Sequence, residues 1–160
     1  MRAMLSVHSF LKEPGGSFVP VGQAQFRIPD PDYIEGALEL EVNGVPILSL
    51  NDWDYIDQLW SYLINAMEEY SESGVASTRL PDQPTKLTLS RQGKSYVLVR
   101  VDRGKRSRSS AVEESEFFRV LLESGDLFFA CMAGILPEVA DYYNSERERL
   151  LRLRGCQGFQ

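Results

Sequence analysis

Residue types able to do chemistry are scarce in this chain of 160 residues except for one class: it has a single histidine, two cysteines and 23 carboxylates, against 17 lysines and arginines. His8 lies where Leu5 and Val7 alternate with Ser6 and His8. That period of two is the pattern of a half-buried strand, with the imidazole on the less buried face. One histidine cannot build a histidine-rich zinc site, and no nucleophile motif surrounds it to make a Ser-His-Asp or Cys-His arrangement. Cys131 sits within the apolar run Leu127 to Leu136 and Cys156 in a glycine-flanked tail. Their spacing suggests neither metal ligation nor a disulfide framework, so both read as free thiols of a reducing cytoplasm. Pro14-Gly15-Gly16 lacks the lysine, the spacing and the following helix of a phosphate loop. No metal, no cofactor and no enzymatic activity are expected.

The carboxylates remain. Asp52, Asp54 and Asp57 are close enough in sequence to consider as magnesium ligands. Such an ion is held by two or three carboxylates only when a substrate phosphate or further oxygens complete its octahedron, and no second acidic cluster with a lysine or histidine is evident. Nor is any carboxylate marked as buried, as one member of a glycosidase pair would be. What the acidic residues show is a division by position. Residues 1–72 carry three basic side chains (Arg2, Lys12, Arg27) against twelve acidic ones, whereas residues 73–160 carry fourteen against eleven. Acidity concentrated in one region makes a directional field that favours basic partners and repels nucleic acid, which points to binding.

A chain of this length fits one domain, 1–160, and a domain of about 150 residues buries roughly 70% of its extended-chain surface. Ser6, His8 and Ser9 interrupt any apolar core of a signal peptide. The longest apolar run, Leu127 to Leu136, is about half the roughly 20 residues of a spanning helix, so a cytoplasmic protein is expected.

The elements that must position the carboxylates can be read from periodicity and turn residues. Met4 to Phe10 predicts a first strand. A proline- and glycine-punctuated stretch follows to Gly36, and a short strand is expected within Gln23 to Ile28, because structureless connections of that length are uncommon. Leu38, Leu40 and Val42 alternate with Glu39 and Glu41, and Asn43-Gly44 is a favoured hairpin dipeptide leading into Val45 to Leu50. Pro46 has no N–H to donate and suggests an edge or a bulge. A helix over Asp52 to Glu72, capped by Asn51 or Asp52, follows from the apolar recurrence Trp53, Ile56, Leu59, Trp60, Leu63, Ile64, Met67 and Tyr70, an arc of about 160°. Ser71 to Pro84 reads as a loop. Thr85 to Ser90 and Ser95 to Val101 form a second hairpin. Arg103 to Ser110 reads as a basic loop, and Ser110 to Glu113 has capping-box spacing at the start of a helix that Gly125 interrupts. Further helices cover Leu127 to Ile135 and the stretch from Pro137 to Gly155.

On the predicted Asp52 to Glu72 helix, the sector about 40° to 160° from Trp53 holds Asp54, Asp57, Gln58, Ser61, Asn65, Glu68, Glu69 and Glu72 and no basic residue, with Tyr55 and Tyr62 at its far edge. Carboxylates in the first turn gain from the macrodipole. Glu68, Glu69 and Glu72 lie at the disfavoured end, and Glu68 with Glu72 is a like-charged i,i+4 pair. This face is either solubilising or partner-facing. Tyrosines beside carboxylates suit an interface with a basic protein, since tyrosine gives rigid apolar area and rim carboxylates accelerate encounter. Asp54, Tyr55, Asp57, Tyr62, Glu68, Glu69 and Glu72, with Glu39 and Glu41 on the open face of the sheet, are therefore the candidate partner-binding residues.

Arg100, Arg103, Lys105, Arg106 and Arg108 are interleaved with serines and no aromatics, so the segment lacks the stacking platforms of single-strand binders. Phosphate or nucleic-acid binding through residues 103–108 is an alternative, which the acidic first part opposes. Arg147, Arg149, Arg152 and Arg154 alternate with Glu146 and Glu148, a pattern of helix electrostatics.

The stretch LELEVNGVPILSLNDWDYIDQLWSYLINAMEEY followed by TKLTLSRQGKSYVLVRVD resembles the small acidic α+β immunity proteins encoded beside bacterial polymorphic toxins, over roughly Ala37 to Asp102. The resemblance implies a cytoplasmic inhibitor that covers the active site or substrate groove of a cognate toxin. A housekeeping adaptor or assembly protein is the competing reading. The fold expected is α+β: an antiparallel sheet of four to five strands, one long amphipathic helix between two hairpins, and two to three C-terminal helices.

Overall fold

The computed structural model describes residues 4–156. Strands β1 (Leu5–Lys12), β2 (Phe18–Pro20), β3 (Glu35–Val42) and β4 (Val45–Leu48) form an antiparallel sheet in the order β2-β1-β3-β4, and the two-residue β5 (Asp54–Tyr55) pairs with the start of β3. Helix α1 (Ile56–Ser73) leads to a second antiparallel sheet, in which β6 (Val75–Arg79), β7 (Thr85–Gln92), β8 (Tyr96–Arg103) and β9 (Arg106–Glu113) lie in sequential order. Helices α2 (Glu114–Ile135) and α3 (Ala140–Cys156) follow. The α+β class, the helix between two hairpins and the C-terminal helices are as the sequence predicts, with the strands divided between two sheets.

Local chemistry explains most of the turns. Asn43 (φ 53°) and Gly44 (φ 80°) supply the two positive φ values of a tight hairpin turn between β3 and β4. Pro46 is tolerated because β4 is an edge strand and the register shifts between Leu40 and Glu41. At the end of α1, Gly74 (φ 79°) adopts the left-handed cap that lets β6 turn back along the helix.

Several elements differ from the expected ones. No strand forms within Gln23 to Ile28; the extra strand is β2, earlier in the connection. Ser71 to Pro84 contains β6, and the basic segment is part of β9, paired to β8 from Arg103↔Arg106 to Tyr96↔Glu113. Both strands are mostly polar on one or both faces, so backbone pairing decides them where side-chain alternation is weak. Helix α2 begins at Glu114 and runs unbroken through Gly125. A Cβ at Gly125 would lie 3.0 Å from Leu150 Cδ1 and 3.0 Å from Trp60 Cζ3, so glycine is there for the close approach of three helices.

Helix α1 starts at Ile56, four residues later than its acidic start suggests. Ser49 and Asp52 instead close a reciprocal capping box around a single 3₁₀ turn, Leu50–Asp52. Trp53 is consequently outside the helix: it is half-buried, with the Lys12 ammonium 3.7 Å from the centre of its ring. The rest of the predicted stripe is core. Trp60 is fully buried, stacks on Phe128 at 6.2 Å, and donates its indole N–H to Ser9 Oγ at 2.9 Å.

Candidate functional site

One row of the polar face of α1, Ser61, Asn65 and Glu68, is engaged by this chain's own last helix. Ser61, Asn65 and Glu68 recur at intervals of four and three, and so do Tyr142, Glu146 and Arg149 on α3, so each row lies on one face of its helix and the two rows can meet. Ser61 Oγ donates to Glu146 Oε2 at 2.6 Å and is hydrogen-bonded to the Tyr142 hydroxyl. Arg149 donates to Glu68 at 2.6 Å, to both oxygens of Glu146 at 3.1 Å, and to Asn65. The arginines of α3 do more than satisfy their own helix: Arg149 supplies the countercharge that makes Glu68 tolerable near the C-terminus of α1.

Two carboxylates expected to face a partner are buried instead. Asp57 is 8% exposed and accepts hydrogen bonds from the Tyr143 hydroxyl at 3.1 Å and from the Gln58 N–H at 2.9 Å. Burial pushes its pKa up, and the tyrosine hydroxyl and backbone N–H oppose that shift without cancelling it. Tyr143 is raised by its own burial and by the facing carboxylate. Asp54 is 3% exposed, and its oxygens accept the N–H groups of Tyr55, Asp82 and Gln83 at 2.7–3.0 Å. It is a clamp that holds the 81–84 turn against β5, because those N–H groups have no strand partner of their own. Asp52 pairs with Arg103 at 2.6 Å, and Arg103 also donates to the Ile47 carbonyl, which joins the second sheet to the first.

The remaining candidates are accessible. Tyr62, Glu69, Glu72 and Glu41 are exposed, while Glu39 and Tyr55 are half-buried. Tyr62 and Glu69 line a groove of about 310 Å³ between α1 and β6, with Asn65, Ala66, Ser77, Thr78 and Arg79 as its other walls. Glu39 is paired across the first sheet with His8, and Glu41 with Ser6 and Pro46. Tyr55 lies against Tyr33, an exposed residue that the sequence reading passed over. Burial and the carboxylates of Asp82 and Glu35 raise the Tyr55 pKa, a sign of the negative surroundings of this tyrosine pair. Among the described residues, no lysine or arginine lies within ion-pair distance of Glu13, Asp30, Asp32, Glu39, Glu41, Glu69 or Glu72.

No known family, curated protein or solved structure matches the chain. The site therefore has to be judged on its own chemistry. Among the described residues, no three His, Cys, Asp or Glu side chains are grouped so as to hold a metal ion, and no single helix is long and apolar enough to cross a membrane. Cys131 is a free, half-buried thiol; the side chain of Cys156 lies outside the described residues. Of the basic segment, Arg103 is committed to Asp52 and Arg108 donates to the Pro46 carbonyl at 3.3 Å, leaving Lys105 and Arg106 at the exposed β8–β9 turn.

Proposed function

We propose that this chain is a non-enzymatic protein-binding domain that neutralises a cognate bacterial toxin by contacting a basic surface on it. The observation that carries the reading is the distribution of acidic charge after internal pairing is counted. Asp52, Asp54, Asp57 and Glu68 are consumed inside the molecule, yet carboxylates without a basic partner persist at the α1 rim, where exposed Glu69 shares a groove with exposed Tyr62 and Glu72 lies one turn from Glu68, on the irregular connection, where Glu13 and Asp30 line a cavity with exposed Tyr33, and at Asp32, Glu39 and Glu41. Unneutralised charge next to rigid aromatic area favours fast encounter with a basic protein and gives that protein something to pack on. The resemblance to toxin-immunity proteins supplies the class of partner.

The double reversal Glu69→Lys and Glu72→Lys tests it. Both side chains are exposed near the C-terminus of α1, where the dipole prefers cations, so folding should be unchanged or slightly improved. Association with the toxin encoded beside the gene should slow by roughly tenfold and lose much of its salt dependence, with a smaller effect on dissociation. Tyr62→Ala should act mainly on dissociation. Unchanged binding in the double reversal and in a Glu39→Lys, Glu41→Lys variant would refute the reading.

A further inference from the structure

We infer that the cavity between the β1–β3 end of the first sheet and the irregular segment 24–34 is a receptor for one arginine side chain presented by a partner protein. The inference rests on the protein-binding reading above and names a chemistry of recognition at a different place from the α1 rim. The cavity, about 390 Å³, is walled by Phe26, Tyr33 and Tyr55 and rimmed by Glu13, Asp30 and Glu35.

The aromatic wall and the charge suit the same ligand. The rings of Tyr33 and Tyr55 lie 5.2 Å apart at 56°, so they offer faces at an angle to one another, and Tyr33 is 56% exposed with its ring uncovered on the solvent side. A guanidinium is planar and weakly hydrated: it stacks on an aromatic face while its in-plane N–H groups reach carboxylates, which an ammonium does less well. One cation is already present. The Lys12 ammonium is held 3.7 Å from the centre of the Trp53 ring and 3.9 Å from Glu35, which leaves Glu13 and Asp30 without a basic partner and the cavity still acidic. An anionic ligand would meet three carboxylates against one engaged lysine.

The segment that forms the outer wall is itself unusual. Residues 24–34 contain no helix or strand, and long irregular stretches inside a compact domain are uncommon outside functional loops. It is nevertheless fixed. Ile28 and Ile34 are buried, the Asp32 N–H donates to Asp30 Oδ1 at 3.0 Å, and the Tyr33 N–H donates to the Asp30 carbonyl at 3.1 Å. That turn fixes the backbone from which the Tyr33 ring packs on Tyr55, so the main chain of the wall is set before any ligand arrives.

The experiment titrates the intact, ¹⁵N-labelled chain with N-acetyl-arginine amide, using N-acetyl-lysine amide and the neutral N-acetyl-glutamine amide for comparison. The expected result is saturable shifts of the amides of residues 30–35 and 54–55, with a Kd on the order of 1 mM, the level a ligand of this size reaches at ordinary efficiency. The lysine analogue should bind several-fold more weakly and the glutamine analogue not measurably. The Glu13→Gln, Asp30→Asn variant should bind at least fivefold more weakly; asparagine keeps an oxygen for the Asp32 N–H, so the turn survives. Tyr33→Ala, at an exposed position, should do the same. Absence of saturation, equal shifts with either comparison compound, or unaltered binding by both variants would overturn the inference. Because no partner protein is used, that failure would leave the α1-rim reading standing, and loss of the α1-rim reading would leave this result standing.

Discussion

Replacing Arg149 by alanine should destabilise the protein by about 2–3 kcal/mol. Arg149 is the only basic group that reaches Glu146 and Glu68 among the described residues, and the three side chains differ in accessibility: 6% for Glu146, 21% for Arg149 and 40% for Glu68. Removing one partner of a buried ion pair typically costs about 3–5 kcal/mol, because the other charge is left desolvated. Two features reduce that here. Glu146 retains the Ser61 hydroxyl at 2.6 Å, and Glu68 sits at the rim where water can reach it. For a chain of this size each kcal/mol corresponds to about 2–4 °C, so Tm should fall by roughly 5–10 °C, with an unchanged urea m-value if the native and unfolded states keep their compactness. Urea titration followed by tryptophan fluorescence measures both. Combining Arg149→Met with Glu146→Gln removes the buried charge together with its partner, and should return stability to within about 1 kcal/mol of the parent chain. A loss below about 0.5 kcal/mol in the single variant would place the pair with ordinary surface salt bridges. A double variant no better than the single one would show that charge compensation is not what joins α3 to α1.

Gly36→Ala should cost about 3 kcal/mol or more, read by the same titration, because the added Cβ would lie 2.3 Å from the Phe10 carbonyl oxygen and 2.8 Å from Ile56 Cγ2, forcing β1 and β3 apart. Asp57 titrates higher in the folded protein than in the unfolded chain, so the folded state binds more protons in the window between the two values, and this group's contribution to stability falls as pH rises through it. Acidifying from pH 7 towards pH 4 should therefore stabilise the parent chain relative to Asp57→Asn; a relative loss on acidification would mean that the carboxylate is net stabilised where it sits.

The features legible in the sequence are those set by neighbours in the chain. Asn43-Gly44 between two alternating runs specifies the β3–β4 hairpin, and the recurrence from Ile56 to Tyr70 specifies α1 and its buried face. Roles set by distant groups were not legible. Asp54 looks like a first-turn carboxylate, but its donors are the N–H groups of Asp82 and Gln83, which only the tertiary fold brings to it. Glu68 looks unexplained on its own helix because its countercharge is on α3, although the four-and-three spacing of Tyr142, Glu146 and Arg149 marks a face that packs. Tyr33 was missed because a tyrosine in an irregular segment has no period to reveal its neighbour. Of the partner-binding candidates, Tyr62, Glu69, Glu72 and Glu41 remain accessible, whereas Asp54 and Asp57 do not.

The order of elements also determines the order in which the molecule can be completed during synthesis. The second sheet is a meander of sequential strands, able to pair as it emerges. The first sheet is not so placed: β1 must wait for β3 across an irregular connection, and its inner side chains, Leu5, Val7 and Leu11, are buried in a core that includes Phe117, Phe128 and Phe129 of α2. Ribosomes add ~5–20 residues per second, so β1 leaves the ribosome about 5–20 s before its covering helix does. During that interval an apolar strand stays open to other nascent chains. Co-expression with a holding chaperone, which covers the strand during that interval, should accordingly raise the soluble yield.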